Sequence, residues 1–471
     1  MVKSILIDEN ANQALNKLFL NYNEQISTTG LLIGTIDESK DYITLVLPTL
    51  TNTDVEDEPT QSKDLVDSKL IINHALLIHD MLIGGCDILG IYTVDQTPAL
   101  SRQILTKLFK ALNEFDYYKE MKFNQERLLF LVDTKTKSIN MKTLDLSIPD
   151  NKNYQSCVIK VEKNLFETYF RHLNSNYEIN SIFKTANAKS HNLLKKDFLK
   201  ALPLEEFFND NKYLFLLNDK LLDENKQFSE LNEFSNSNDT KLFATLMENL
   251  SSEEVLSKRI SNVENNESIY ELNGVCNLIV TFHKSFKLKY IKKLLIYDLM
   301  RSFNARVRLL VEDLDARKDI IGDVQLEDPN SNDVSSIEEC YQTPNRVHIY
   351  LDQTLGKNIQ VITDYVFPDE TEDDISERVK ELFDIDLVDL KTQIVYAEDL
   401  PPEIKMTQSD EITEFTEGSQ NLKASNSSQK LDQIPDDKIA FLNNILFWIG
   451  AVAAIAAIIL GYLSYLASSS S

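Results

Sequence analysis

TGLLIG at residues 29–34 and ILGIY at residues 88–92 set the fold class of this chain. Both are short apolar runs flanked by turn residues, which reads as strand rather than helix. Neither run alternates apolar with polar. Residues 30–36 and 88–94 are therefore expected to be central strands, buried on both faces. Leu32 and Leu89 should then be core residues.

Working outward, residues 3–7 read as a short strand. Residues 10–20 carry apolar side chains at 11, 14, 15, 18 and 20, a helical stripe. Residues 42–47 form a further strand. A helix over 65–82 is stopped by Gly84 and Gly85. Pro98 opens a helix to about residue 113, since its fixed φ suits a first helical turn. Residues 127–133 and 138–143 make a hairpin-like pair. Strand and helix patterns thus alternate through an α/β-like N-terminal domain, residues 1–150.

Residues 151–400 read as a second α+β region. Its strands are expected at 156–162, 213–217, 269–286, 346–351, 359–366 and 392–396, and its helices at 288–314 and 372–383. An acidic, mobile loop is expected over 319–340. Helix 288–314 carries Lys287 at its entry and then Lys289, Lys292, Lys293, Arg301, Arg306 and Arg308. The preferred reading is a solvated basic face over a core stripe of Leu288, Ile291, Leu295, Leu299 and Leu310. The alternative is a basic face lying on acidic lipid.

Residues 401–438 hold many acids and few apolar side chains, too little to offset the ordering entropy of a packed domain. They read as a disordered acidic tether. No charged residue occurs from 439 to 471. The densest apolar run, 445–467, would span roughly 34 Å as a helix, enough for a hydrocarbon core of about 30 Å. Phe447 and Trp448 near one end and Tyr462 and Tyr465 near the other suit two interfaces. Residues 439–467 are therefore expected to be a single transmembrane helix, a tail anchor that leaves the N-terminal bulk in the cytosol.

The net charge of −26 argues against nucleic acid as a partner. No GxGxxG and no GxxxxGK[ST] occurs, so a phosphate-cradling loop is not expected. The four cysteines, Cys86, Cys157, Cys276 and Cys340, form no CxxC and suit a reducing compartment. His74 and His79 are five apart on one helix and should point to different faces. Cys86, His74 and His79 are the only candidates for a hydrolytic thiol or metal site, and no signature joins them. Catalytic, cofactor-binding and metal residues are accordingly expected to be none, and no small-molecule substrate is expected.

The strands around GLLIG and LGIY resemble those of the MPN fold of JAMM-type metalloproteases. In active members the second strand runs into HxHP, which supplies two zinc ligands. Here it runs into TVDQTP, residues 93–98, so the resemblance implies an inactive, metal-free domain.

The larger pattern resembles the odorant-response-abnormal protein four (Odr-four-like) family. The pieces are GLLIG with Lys40-Asp41-Tyr42 after it, His74-Ala75 ahead of MLIGG at 81–85, Leu89-Gly90-Ile91, PNRV at 344–347 and DYVF at 364–367. The resemblance implies a non-enzymatic adaptor or chaperone-like protein of the endoplasmic reticulum membrane. Its implied partners are G-protein-coupled receptors as cargo and the cysteine protease specific for the ubiquitin-fold modifier. The competing reading is a membrane-bound hydrolase with an unrecognised cysteine or metal site.

Overall fold

A computed structural model describes residues 3–20, 29–36, 40–49, 68–114, 126–146, 154–186, 213–218, 220–231, 242–248, 267–322, 339–351 and 360–407. The two deciding stretches are β2 (Thr29–Ile36) and β4 (Asp87–Val94), and they pair antiparallel. Leu32 is fully buried and Leu89 is 1% exposed, as their two-sided apolar context requires. Gly90 is what brings β4 close to β5 (Glu126–Asp133). A Cβ there would lie 1.9 Å from the Leu128 carbonyl oxygen.

The remaining elements of this half are β1 (Lys3–Asp8), α1 (Glu9–Leu20), β3 (Lys40–Pro48), α2 (Ser68–Met81), α3 (Pro98–Leu112), β6 (Ser138–Asp145) and β7 (Gln155–Glu162). The strands run β1-β3-β2-β4-β5-β6-β7, and β7 returns to pair parallel with β1. This corrects the expected α+β class with its MPN-like N-terminal layer. The protein is mixed α/β, and its first seven strands close into a barrel. The physical reason lies in β1, which is paired in parallel on both edges, with β3 and with β7, and so leaves no edge open.

Alternate residues of the barrel strands serve two cores. Leu32, Leu89, Phe130 and Ile43 pack with Ala11 and Leu15 of α1. Leu31, Ile33, Ile91 and Leu129 join α2 and α3 in a second cluster, which continues into the later part of the chain.

That later part begins with α4 (Leu165–Tyr169) and β8 (Phe170–Ala186). It continues through β9 (Tyr213–Leu217), β10 (Lys220–Leu221), β11 (Leu242–Glu248), β12 (Glu267–His283), α5 (Leu288–Gly322) and β13 (Glu339–Gln342). β14 (Asn345–Tyr350), β15 (Val361–Val366), α6 (Glu372–Phe383), α7 (Leu390–Gln393), β16 (Ile394–Tyr396) and β17 (Glu403–Thr407) complete it. Seven strands form a sheet in the order β10-β9-β11-β8-β12-β17-β13, and three more form β15-β14-β16. The axis of the larger sheet is the antiparallel pair β8–β12, in register from Phe170↔His283 to Ala186↔Glu267.

Helix α6 starts and stops where the sequence places it. Thr371 and Asp374 close a capping box, and Asp384 adopts the left-handed conformation at the other end. Residues 403–407, expected to belong to the tether, instead form β17. The expected loop 319–340 lies for the most part outside the described residues, as do the tether beyond residue 407 and the expected membrane helix at 439–467. Among the described residues no helix is long and apolar enough to cross a membrane.

Candidate functional site

The turn after α2 carries Gly84 and Gly85 against β12. Gly85 has φ +84°, and a Cβ on it would sit 1.8 Å from the Thr281 oxygen, so the turn requires glycine. Gly84 donates its N–H to Ile279 O at 3.1 Å, and Thr281 N–H donates to Gly84 O at 2.8 Å. This tight approach lets one face of α5 reach both the turn and the strand.

Asp298 of α5 is fully buried and accepts from four donors. They are Gly84 N at 2.9 Å, Ile279 N at 3.1 Å, and Arg346 Nη1 and Nη2 at 2.8 and 2.9 Å. Arg346 also donates to Asn277 O at 2.9 Å. Burial works against the Arg346 charge, but Asp298, Tyr365 and Glu398 together outweigh it and raise its pKa. Arg301 donates to the carbonyls of Leu82, Ile83 and Cys86, in the turn that follows α2. Arg306 donates to both Glu398 oxygens at 2.7 Å and to Pro344 O at 2.5 Å. Glu398 Oε1 also accepts from Asn277 N at 3.0 Å. One connected polar knot thus ties α2, β12, α5, β14 and the segment after β16.

The core stripe Leu288, Ile291, Leu295, Leu299 and Leu310 is buried as expected, but the basic face is not simply solvated. Arg301 and Arg306 face neither water nor lipid, and Lys292 is 1% exposed with its ammonium 2.9 Å from Glu224. A buried charge is tolerable only when paired, and each of these has a partner at hydrogen-bonding distance.

The three candidates for hydrolytic chemistry occupy different surroundings. His74 lies between Thr49 Oγ1 at 3.0 Å and Leu382 O at 2.8 Å. His79 is fully buried edge-on to Tyr297, and burial, then Arg301 and Arg308, hold its pKa well below the usual value. Burial pushes the Cys86 thiol up to about 11 against a smaller opposing effect of Arg301, and the Cys276 thiol up to about 12. Such thiols stay protonated at neutral pH, which is poor chemistry for a nucleophile.

Residues 93–98, where an active MPN protein carries its histidines, are held by structural bonds. Thr93 Oγ1 meets Ser101 Oγ at 2.8 Å, Thr97 caps α3, and Asp95 accepts from Thr134 N at 2.9 Å. Among the described residues no three His, Cys, Asp or Glu stand together as a metal site.

A groove of about 760 Å³ opens beside Glu398, with Asn273, Val275, Asn277, Gln342 and Leu400 among its lining residues. Sequence reading missed both the knot and the groove. A signal was present, because Asp298 is the only charged residue in the run LLIYDLM, residues 294–300.

The family described as "ODR4-like: Odorant response abnormal 4-like" matches residues 30–394, which include Gly84, Asp298, Arg306 and Arg346. The chain belongs to this family. It is 24% identical over 455 residues to "Protein odr-4 homolog" of Xenopus laevis, covering 92% of this chain and 95% of that protein. It is 25% identical over 159 residues to "Protein odr-4 homolog" of Mus musculus, covering 32% of this chain and 35% of that one. Among solved structures it is similar to UfSP from C. elegans, with a TM-score of 0.45 and 11% identity. That match covers 84% of this chain and spans 60% of the nematode protein's length.

The buried histidines of this ODR4-like chain give a pH prediction. Burial, then Arg346, lowers the His348 pKa to about 3, and His79 is lowered as well. Below about pH 6.5 the unfolded chain binds protons that these two rings refuse when folded. Stability is therefore complete above that value and falls as pH drops, by about 1.4 kcal/mol per pH unit for each ring. The melting temperature should fall steadily from pH 7 to pH 5, and His348→Gln should flatten the slope. A flat profile in the parent chain would show that the rings are not buried neutral.

Proposed function

We propose that this protein is a non-enzymatic adaptor of the endoplasmic reticulum membrane, with its bulk in the cytosol. It assists the folding or export of G-protein-coupled receptors, and it recruits the cysteine protease specific for the ubiquitin-fold modifier. Membership of the ODR4-like family across residues 30–394 is the observation that carries this reading. The uncharged sequence from residue 439 onward supports the membrane location. The non-enzymatic role is supported by how the polar interior is used. Asp298, Arg301, Arg306, Arg346 and Glu398 are engaged with one another or with backbone, and the buried thiols Cys86 and Cys276 are held protonated.

In cells lacking the protein, surface delivery of a tagged odorant receptor should fall several-fold. The full chain should restore it, and so should the double variant Cys86→Ala with His74→Gln. Co-purification should recover the protease, and the protein should stay with membranes through a salt wash. A double variant that melts normally but restores no delivery would favour the hydrolase reading.

A further inference from the structure

The groove is formed where two strands part. β12 and β17 pair from Ile269↔Thr407 to Asn273↔Glu403, and the pairing ends there. The next residue of β12, Gly274, has φ +144°, and a Cβ on it would lie 2.7 Å from Pro402 Cα. Pro401 and Pro402 turn the chain away, and neither has an N–H to extend the ladder.

Beyond that point the edge of β12 is met by side chains and by a turn instead of a strand. Asn277 N–H goes to Glu398, Ile279 N–H to Asp298 and Thr281 N–H to Gly84 O. Every second residue thus turns its N–H to this edge, as the strand period requires. Val275 belongs to the same series. Its backbone groups face the groove, and no described residue meets them there. Around this gap Val275 is 44% exposed and Leu400 is 74% exposed. Asn273, Asn277 and Gln342 add carboxamides, and Asp399 and Glu403 add carboxylates beside the Arg306-paired Glu398. Among the described residues, no Lys or Arg lines the groove.

We propose that this groove binds an extended, cationic peptide segment of a partner protein, whose backbone meets β12 at its one open position, Val275. A strand added there would pair its backbone with Val275, as in other cases of edge-strand recognition. An apolar residue would cover Val275 and Leu400, and a Lys or Arg would meet the acidic rim. The volume of about 760 Å³ falls among clefts that enclose small ligands or short peptide segments. Charge selects the partner: a chain of net charge −26 attracts basic segments and repels acidic ones. The inference rests on the adaptor reading and supplies the chemistry of one partner.

The test uses the purified full-length chain and the fluorescein-labelled hexapeptide VKVRVK, read by anisotropy. The peptide should bind, and its charge-reversed counterpart VEVDVE should bind at least tenfold more weakly. Asp399→Lys changes an exposed rim residue, so it should weaken VKVRVK at least tenfold without moving the melting temperature. A VKVRVK peptide methylated on alternate backbone nitrogens should lose binding, because strand pairing needs those donors.

Equal binding of the two peptides would overturn the proposal, as would an unaffected Asp399→Lys chain. Full affinity of the methylated peptide would reduce the effect to ion exchange on an acidic surface and would overturn it too. Peptide binding is read on the isolated chain and receptor delivery in cells, so either reading can fail alone.

Discussion

Asp298→Ala should lower the unfolding free energy by about 3–5 kcal/mol, the usual consequence of removing one partner from a buried ion pair. Arg346 would keep its charge, 1% exposed at the side chain, with only Asn277 O left as an acceptor. Ile279 N would lose its acceptor as well, and Gly84 N would keep only Ile279 O. A domain holds about 5–15 kcal/mol in all, so the variant should be marginal at 37 °C. Urea denaturation of the purified chain reads the loss as a lowered midpoint.

The double variant Asp298→Leu with Arg346→Met should be less damaged than Asp298→Ala, because no buried charge is left alone. It should still fall short of the parent chain. The Ile279 N–H, left without its acceptor, costs about 1–3 kcal/mol. A midpoint for Asp298→Ala equal to that of the parent would mean that water reaches this pair.

Leu89→Asp should be the most damaging single change in the barrel. The side chain packs in the core that holds Leu32, Ile43, Leu128 and Phe130. An aspartate there would be a buried carboxylate facing apolar neighbours, at a cost of several kcal/mol whether it ionises or takes up a proton. Leu89→Ala should cost about 2–5 kcal/mol, the range for a cavity of that size. The alanine variant should stay folded with a lower melting temperature, and the aspartate variant should be lost to aggregation. A soluble, cooperatively melting Leu89→Asp chain would place this side chain outside the core.

The parts of the fold legible in the sequence are those set by local pattern. β2 and β4 declare themselves by apolar side chains on both faces, and α6 by Thr371, Asp374 and a 3.6-residue stripe. Closure of the barrel was not legible. It depends on β7 lying parallel to β1 more than a hundred and forty residues earlier in the chain, and no local pattern records that pairing. β17 was read as tether because residues 401–438 together hold many acids and few apolar side chains. It becomes a strand through β12 on one edge and β13 on the other.

The candidate site was hidden for a similar reason. A helix with arginines at 301, 306 and 308 looks solvated when read alone, because periodicity assigns cations to water. Arg306 turns inward because Glu398 arrives from a distant strand end, and Asp298 is tolerated because Arg346 does. The family motif at residues 344–347 contained Arg346, but its partner could not be read from spacing.

The polar knot also sets a schedule for biosynthesis. Asp298 waits 48 residues for Arg346, and Arg306 waits 92 for Glu398. At about 5–20 residues per second, the second wait lasts roughly 5–18 seconds. Throughout it the nascent α5 carries apolar residues beside charges that cannot yet be neutralised. This helix therefore cannot settle onto β12 while the ribosome is still making the segment after β16. The unfinished chain must be kept from sticking to its neighbours until that segment has emerged, and the last step of its folding must follow the synthesis of Glu398.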